Sequence, residues 1–227
     1  MRTYEKIETL YSRDIEGTKK LILGAYRNPT VEFLKDCKWV WTEKVDGTNV
    51  RVYWDGHTVS FGGRTDKAQM PVPLVNKLNS YFGGEENAQV FEQMFGEKEV
   101  ILFGEGYGHK IQAAGDGYNP TDVGFALFDV MIGDNYQPRA TVENVAAAFK
   151  TDIVPIVGVG TLDEAVKYVM EHHPSILSSY IMYEHGMRST LAMEGIVCRP
   201  EMELRDRCGN RVIVKIKWND FKDFVKG

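Results

Sequence analysis

The sequence has few cysteines, no long apolar run and no leader-like N-terminus. Its three cysteines, at positions 37, 198 and 208, form neither a CxxC pair nor a Cys/His cluster, so no zinc site is predicted and the thiols are expected to stay reduced. No segment approaches about 18 uninterrupted apolar residues, which excludes a transmembrane helix. The first residues are charged and lack the apolar region of a secretory signal. These absences predict a cytoplasmic protein that does not enter a membrane.

An excess of positive charge is also lacking. Acidic residues outnumber basic ones by 32 to 27, for a formal net charge of −5, which argues against a uniformly basic surface for nucleic acid. Residues 211–227 are the exception, because basic side chains dominate there. That segment is typical either of a solvated C-terminal helix or of a local phosphate-binding patch. Its basic residues are Arg211, Lys215, Lys217, Lys222 and Lys226.

The apolar pattern predicts short strands interrupted by helices. Alternation and β-forming residues indicate strands at 40–44, 49–54, 58–61, 100–103, 125–131, 194–198 and 212–217. Helical periodicity indicates helices at 72–82, 86–95 and 161–171. The last of these opens with a capping box of Thr161 and Glu164. Because strands and helices do not alternate strictly, the predicted class is α+β with mainly antiparallel sheets.

Three further expectations concern the organisation of the chain. Residues 1–36 mix charged and apolar side chains and are expected to form short helices or turns. Asp46-Gly47-Thr48 is a turn signal between two predicted strands, which predicts a hairpin with Lys44 near its turn. No Pro/Gly/Ser-rich linker divides the chain, which favours one domain over residues 1–227.

Lys44-Val45-Asp46-Gly47 is the first segment that points to chemistry. Alone, the pattern KxDG is weak and is equally typical of a strand-end lysine before an Asp-Gly turn. The alternative is a nucleophilic lysine. Because a free lysine has a pKa near about 10.4 and is protonated at neutral pH, such a nucleophile needs neighbouring cations, a metal or desolvation that favour the neutral amine.

Two lysines near the end of the chain are candidates for those neighbours. Lys215 and Lys217 lie two residues apart on a predicted strand, so both side chains share one face. An exposed strand face explains the pair without any function. Two like charges on a covered face require an anion to meet them, and the second interpretation is therefore a triphosphate clamp that also favours the neutral form of Lys44.

Two acidic residues and one aromatic residue also allow both a structural and a functional interpretation. Glu105 lies between two glycines after an apolar strand, and Glu194 precedes another apolar strand. Each is compatible with a strand-edge acid, but two carboxylates near phosphates also suit a hard cation such as Mg²⁺. Phe128 belongs to a predicted buried strand and is either a core residue or a surface on which a nucleobase stacks.

Taken in order, these segments resemble the motifs of the covalent nucleotidyltransferase superfamily, which contains ATP-dependent ligases and mRNA capping enzymes. The resemblance covers nearly the whole chain, and five ordered matches are far more specific than any one of them. The matching segments are Lys44-Val45-Asp46-Gly47 (motif I), Phe103-Gly104-Glu105-Gly106 (motif III), Phe125-Ala126-Leu127-Phe128-Asp129-Val130 (motif IIIa), Glu194-Gly195-Ile196-Val197 (motif IV) and Val214-Lys215-Ile216-Lys217 (motif V).

Within that superfamily the sequence is most similar to the T4 RNA ligase 2 branch. The extended segment over residues 42–49 resembles that branch's motif I, including Glu43 before the lysine and Asn49 after the turn. Arg64 matches an arginine that follows the second strand there. Residues 107–112 resemble the branch's continuation of motif III.

The resemblance implies an ATP-grasp-like nucleotidyltransferase domain with the nucleotide pocket between its sheets. It also implies an ATP-dependent RNA ligase that acts in three steps. Lys44 attacks the α-phosphate of ATP and forms lysyl-AMP, AMP moves to a 5′-phosphate end, and a 3′-hydroxyl then seals the strand. The implied cofactors are ATP and Mg²⁺ or Mn²⁺, and the implied partners are RNA or DNA strand ends.

The same matches imply a role for each candidate residue. Lys44, Lys215 and Lys217 are the expected catalytic residues. Phe128 is expected to stack on adenine and Glu105 to hold the ribose. Glu194, with Asp46, is the expected metal ligand, directly or through water. The full set of expected ATP-binding residues is Glu43, Asn49, Arg64, Glu105, Phe128, Glu194, Lys215 and Lys217.

Few residues follow Lys217, so the further C-terminal domain that most relatives carry has no counterpart in this sequence. The expectation is a minimal ligase, or one in which an accessory protein replaces that domain. The alternatives are a minimal ATP-dependent DNA ligase, a guanylyltransferase and a nucleotide-binding module that no longer reacts. The complete set of motif residues argues against the last alternative.

Overall fold

The computed structural model describes residues 2–225, so Lys226 of the basic C-terminal segment lies outside the described residues. Within this range the chain forms two compact units. The Lys44 unit comprises residues 6–45, 155–180 and 190–225, and the Phe128 unit comprises residues 2–5, 46–154 and 181–189. Compactness does not decide whether the two units fold independently, so the single domain over residues 1–227 stays a prediction.

The described residues form short strands and helices in irregular alternation, and the predicted α+β class with mainly antiparallel sheets is confirmed. In chain order the strands are β1 (Glu8–Thr9), β2 (Tyr11–Arg13), β3 (Leu21–Tyr26), β4 (Trp39–Glu43), β5 (Thr48–Trp54), β6 (Val59–Gly62), β7 (Val100–Gly108), β8 (Val123–Ile132), β9 (Asn135–Tyr136), β10 (Asp152–Ile153), β11 (Ile156–Gly160), β12 (Gly195–Pro200) and β13 (Val214–Lys217). The helices are α1 (Pro29–Phe33), α2 (Val72–Phe82), α3 (Gly84–Phe95), α4 (Gly115–Tyr118), α5 (Arg139–Phe149), α6 (Leu162–Met170), α7 (Ile176–Glu184) and α8 (Trp218–Phe221). None of these helices, over residues 2–225, has the length and apolar character needed to cross a bilayer.

The Lys44 unit is built on a five-stranded sheet in the order β1-β13-β12-β4-β11, antiparallel except where β1 joins β13. Helix α6 packs its buried face, which includes Leu162 and Ala165, into the same core as Trp39 and Ile196. The predicted capping box opens α6, because Thr161 accepts from the Glu164 amide and the Glu164 carboxylate accepts from the Thr161 amide. The core thus packs against the central strands, β4 and β12.

The Phe128 unit is built on a second sheet in the order β10-β8-β7-β5-β6, with β9 beside β8. Helices α2, α3 and α5 contribute to the main core on one face, where Leu74, Phe82 and Phe91 are buried. The opposite face carries a smaller cluster of Ile101, Phe103 and Met131, against which Tyr4, Tyr53, Phe128 and Tyr136 pack. The two faces of this sheet therefore differ, and the second one holds the candidate aromatic residue.

The predicted hairpin around Asp46-Gly47-Thr48 is wrong. Strand β4 pairs with β11 and β12, whereas β5 pairs with β6 and β7, so the segment leads from one sheet to the other. Glycine is required at position 47 for a different reason, because a Cβ there would lie 2.2 Å from the Gly106 carbonyl oxygen. A close approach of two backbones and a hairpin turn both require glycine, and the sequence does not distinguish them.

Residues 1–36 also differ from the prediction of short helices or turns. They contain strands β1, β2 and β3, and within the described residues their only helix is the five-residue α1. Strand β2 pairs with β3 as a separate two-stranded sheet, and Leu21 joins the core of the Lys44 unit. Strands β1 and β2 are only two and three residues long, which is too short for an alternation pattern to show in the sequence. Strand β3 has six residues, but buried and exposed positions do not alternate along it.

A β-bulge in β8 determines where Phe128 lies. Opposite β7, Asp129 faces Phe103 and Leu127 faces Gly104, so Phe128 is the surplus residue between them. Before the bulge, Phe125 and Leu127 belong to the main core, and after it Val130 does. The alternation therefore changes phase at the bulge, and Phe128 joins Phe103 on the opposite face. Bulges redirect side chains in this way near functional sites.

Candidate active site

In the Lys44 unit one carboxylate joins two of the predicted catalytic lysines. Glu194 Oε2 accepts a hydrogen bond from Lys44 Nζ at 2.6 Å, and Glu194 Oε1 lies 2.5 Å from Lys217 Nζ. The Glu194 side chain is 16 % exposed and the lysine side chains are 24 % and 33 % exposed. This partial cover strengthens the ion pairs relative to pairs in bulk water, while leaving the group accessible to a ligand.

Sheet pairing explains why these side chains meet. Lys44 follows the end of β4, and its amide donates to the Gly195 carbonyl at 2.9 Å. Gly195 pairs with Lys217 on the neighbouring strand β13. Glu194, which immediately precedes β12, therefore lies between the end of β4 and the end of β13. The Trp218 amide donates to the Glu194 carbonyl at 2.9 Å and fixes this end of the sheet.

The two lysines of β13 share one face, as the alternation predicts. Val214 and Ile216 are buried, while Lys215 and Lys217 are half-buried on the other side. Burial lowers the pKa of Lys215, and the positive charges of Lys217 and Lys44 lower it further. Three ammonium groups thus share this edge with one bridging carboxylate. Such a surplus of positive charge favours a bound polyanion.

Glu43, which precedes the candidate nucleophile, is 2 % exposed. Its Oε1 accepts from Ser175 Oγ at 2.5 Å, and its Oε2 accepts from the amides of Ile176 and Leu177 at 2.9 and 3.0 Å. Burial raises the pKa of this carboxyl, and the hydrogen bonds from Ser175, Leu177 and Ile176 oppose that rise. Both carboxylate oxygens therefore engage the start of α7.

In the Phe128 unit, Asn49 and Glu105 are directly opposite each other on β5 and β7. The Oδ1 atom of Asn49 is buried and has no hydrogen-bond partner among the described residues. Leaving a buried acceptor unpaired costs free energy, so the position suits a ligand that brings a donor, such as a sugar hydroxyl. Glu105 is half-buried beside it. The structure thus brings together two of the predicted nucleotide-binding residues.

Phe128 has a neighbour that the sequence did not indicate. The ring of Tyr4 lies 5.0 Å from that of Phe128 at 68° and 5.0 Å from that of Phe103. Tyr4 also donates a hydrogen bond to Asp129 Oδ2 at 2.6 Å. Edge-to-face packing of this kind restricts the orientation of a ring. No local pattern in the first residues pointed to this contact, because it joins segments 125 residues apart.

Arg64 is exposed in the segment that follows β6, and its neighbours are held by a residue that sequence reasoning missed. Arg51 is fully buried and donates from Nε to the Gly63 carbonyl at 2.7 Å and from Nη2 to Asp66 Oδ1 at 2.8 Å. A third hydrogen bond, of 3.2 Å, reaches the Arg2 carbonyl. Arg51 therefore holds the chain on both sides of Arg64, at Gly63 and at Asp66. The sequence shows only an arginine within the predicted strand 49–54, and nothing in it indicates that this side chain is buried.

Asp46, the second predicted metal ligand, belongs to the Phe128 unit, and its amide donates a hydrogen bond to Tyr118 Oη at 3.1 Å. Over residues 2–225 no group of three or more His, Cys, Asp and Glu side chains is arranged to hold a metal. Glu194 alone, beside three lysines, suits a hard cation that keeps most of its waters and takes phosphate oxygens, rather than a closed protein cage. The donor set is compatible with a metal that arrives with phosphates.

Comparisons with known proteins agree with the motifs. The RNA ligase family model matches residues 37–217. Among solved structures, a mutant Naegleria gruberi RNA ligase with ATP and Mn is 18% identical, with a TM-score of 0.63 over 98% of this chain and 58% of that chain. The same ligase with PPi is 17% identical, with a TM-score of 0.61 over 97% and 63%. A comparison with curated proteins finds no match.

These likenesses confirm the nucleotidyltransferase fold that the motifs implied. At 17% and 18% identity the solved structures establish the fold alone. The chain also spans less than two thirds of their length, 58% in one case and 63% in the other.

Proposed function

We propose, from the premise that this chain belongs to the RNA ligase family, that it is an ATP-dependent RNA ligase with Lys44 as its nucleophile. The observation that supports this proposal is that the Glu194 carboxylate contacts both Lys44 and Lys217. In the first step Lys44 Nζ attacks the α-phosphorus of ATP. A nitrogen–phosphorus bond forms, the bond between the α-phosphorus and the bridging oxygen breaks, and pyrophosphate leaves with the electron pair.

Glu194 accepts the proton that Lys44 must lose. Its Oε2 is 2.6 Å from Nζ, within the range in which a general base acts. Lys215 and Lys217 then face the negative charge that develops on the leaving pyrophosphate, as phosphoryl transfer requires. A divalent cation bound with ATP supplies further neutralisation of the phosphates. Glu194 is the residue of this group that would hold it.

The nucleoside part of ATP is assigned to residues of the Phe128 unit. Phe128 stacks on adenine, while Glu105 and the unpaired Oδ1 of Asn49 accept hydrogen bonds from the ribose hydroxyls. Arg64, held in place through Arg51, contacts the nucleotide or a strand end. In the next two steps AMP passes to a 5′-phosphate and a 3′-hydroxyl displaces it, so one phosphodiester bond forms and AMP is released.

The finer features remain part of the proposal. RNA strand ends are the substrate class, and the T4 RNA ligase 2 branch is the subgroup, on the strength of residues 42–49 and 107–112. A cytoplasmic location is compatible with three cysteines that are all free. The contacts of residues 2–225 give no support for an accessory protein.

The test is covalent labelling. The protein is incubated with Mg²⁺ and α-labelled ATP, in parallel with α-labelled GTP, and analysed on a denaturing gel. We expect label from ATP that is lost in Lys44→Ala and retained in Lys38→Ala, a surface lysine paired with Glu201 at 3.2 Å. Label from GTP alone would indicate capping chemistry, and no label from either nucleotide would contradict a reacting enzyme. Nicked RNA and nicked DNA then distinguish the two ligase classes.

A further inference from the structure

The carboxylate of Glu43 completes the N-terminus of α7. The first amides of that helix, those of Ile176 and Leu177, donate to Glu43 Oε2. The next amide, that of Ser178, donates to Ser175 Oγ at 3.0 Å, and the same hydroxyl donates to Glu43 Oε1. Helix amides in the first turn have no partner within the helix. Here a residue from a strand 132 positions earlier in the chain supplies it.

The backbone on either side of the Glu43 side chain is held as well. The Glu43 amide donates to the Pro155 carbonyl at 2.9 Å, and the next amide, that of Lys44, donates to the Gly195 carbonyl at 2.9 Å. Lys44 is therefore fixed by one backbone hydrogen bond and by the side chain of the residue before it.

We propose that Glu43 is a positioning residue, which holds the backbone of Lys44 in line with Glu194 by anchoring the end of β4 to the N-terminus of α7. This inference rests on the proposed function of Lys44. It assigns Glu43 a different role from direct nucleotide binding, because both carboxylate oxygens are already used and the side chain is 2 % exposed. The positive end of the α7 dipole favours an anion at this place.

A carboxylate suits this role better than a neutral side chain. It presents two oxygens in one plane, and one accepts from the Ser175 hydroxyl while the other accepts from two amides. Hydrogen bonds to an ionised acceptor are shorter and stronger than those between neutral groups. Burying the charge is costly unless it is hydrogen-bonded, and three donors meet that requirement. Glutamine keeps one such oxygen, whereas alanine keeps none.

The first test measures single-turnover formation of lysyl-AMP across a range of ATP concentrations. A displacement of reacting groups by about 1 Å costs roughly 100-fold in rate, so we expect Glu43→Ala to lower the rate constant by about that factor. The apparent ATP affinity should stay within about threefold. Glu43→Gln should recover most of the rate, and Ser175→Ala should fall between the two variants. Higher KM with an unchanged rate constant would overturn the proposal, since it indicates a nucleotide contact.

The second test does not depend on activity. Amide hydrogen exchange is measured for wild type and for Glu43→Ala at Ile176, Leu177 and Lys44. A residue that only caps α7 changes exchange at the helix amides alone. A positioning residue also raises exchange at Lys44, whose amide bonds to Gly195. Unchanged protection of the Lys44 amide would therefore overturn the proposal.

A matched control separates capping from positioning. Glu164 also accepts from an amide at a helix N-terminus, that of Thr161 at α6. We expect Glu164→Ala to loosen the start of α6 without changing the Lys44 amide or the adenylylation rate. Failure of wild-type protein to form lysyl-AMP contradicts the proposed function only. The exchange at Lys44 still decides the role of Glu43, and Glu43→Gln and Ser175→Ala provide the comparison if Glu43→Ala does not fold.

Discussion

Lys44 and Glu194 lie 150 positions apart in the chain, and a hydrogen bond of 2.6 Å joins their side chains. The same carboxylate contacts Lys217. A single acid thus holds the candidate nucleophile and a candidate phosphate ligand at a fixed separation before any nucleotide arrives. Preorganised groups of this kind need no rearrangement at the moment of reaction.

Replacement of Glu194 by Gln should lower the rate of lysyl-AMP formation by about 100-fold or more, because general base catalysis contributes that much. The amide keeps the size of the side chain but accepts no proton from Lys44. Single-turnover labelling with ATP measures the rate. The control is Glu201→Gln, which removes a surface carboxylate paired with Lys38 and should leave the rate unchanged. A wild-type rate in Glu194→Gln would refute the assignment.

Because of Lys215, the affinity for phosphates should begin to fall at a lower pH than an ordinary lysine would cause. Burial and the charges of Lys217 and Lys44 lower its pKa, so it loses its proton below the ordinary lysine value of about 10.4. As pH rises through that lowered pKa, one positive charge disappears and the affinity for pyrophosphate falls. Titration calorimetry with pyrophosphate at increasing pH measures the fall. Arginine stays protonated throughout, so Lys215→Arg should move this fall to higher pH, and coincident curves for the two proteins would contradict the prediction.

Gly195→Ala should separate β12 from β13. A Cβ there would lie 2.1 Å from the Ile216 carbonyl oxygen and 2.8 Å from Lys217 Cα, and neither backbone atom has room to yield. Overpacking of this kind costs about 1–3 kcal/mol, which urea unfolding measures. The shift also draws Lys217 away from Glu194, so adenylylation should fall as well. Gly209→Ala is the control, since its Cβ would meet nothing within 4 Å although its φ is +82°; it should lose stability without losing activity.

Arg51→Met should loosen the segment that carries Arg64. The change removes donors to the Gly63 and Arg2 carbonyls and to the Asp66 carboxylate. We expect a loss of about 1–3 kcal/mol in the free energy of unfolding and weaker ATP binding. Asp66→Asn should cost less than about 1 kcal/mol, because that carboxylate is 71% exposed and such pairs contribute little. Equal losses in the two variants would show that the backbone contacts do not matter.

Much of this arrangement follows from local sequence. Alternation in residues 214–217 predicts that Lys215 and Lys217 share a face, and they do, because two buried residues fix the strand orientation. The capping box predicts the start of α6 for an equally local reason. The order of the motifs predicts the fold through their resemblance to the nucleotidyltransferase superfamily.

The contacts that the sequence did not reveal are all non-local. Tyr4 reaches Asp129 across 125 positions, and Ser175 reaches Glu43 across 132 positions. The hairpin was wrongly predicted at Gly47 because a turn and a close approach of two backbones both require glycine. Whether Glu43 binds a nucleotide or a helix start likewise depends on where distant backbone lies, and no spacing rule contains that information.

The bulge at Phe128 has a consequence for how this position tolerates change. Phe128 is the one residue of β8 in this region without a partner on β7, and its neighbours Leu127 and Asp129 already pair with adjacent residues of that strand. Deleting Phe128 should therefore restore regular pairing between β7 and β8. Every other side chain of β8 should stay on its present face of the sheet. An extra residue of the strand therefore carries the aromatic ring, and its loss would remove the packing against Tyr4 while keeping the pairing of β7 with β8.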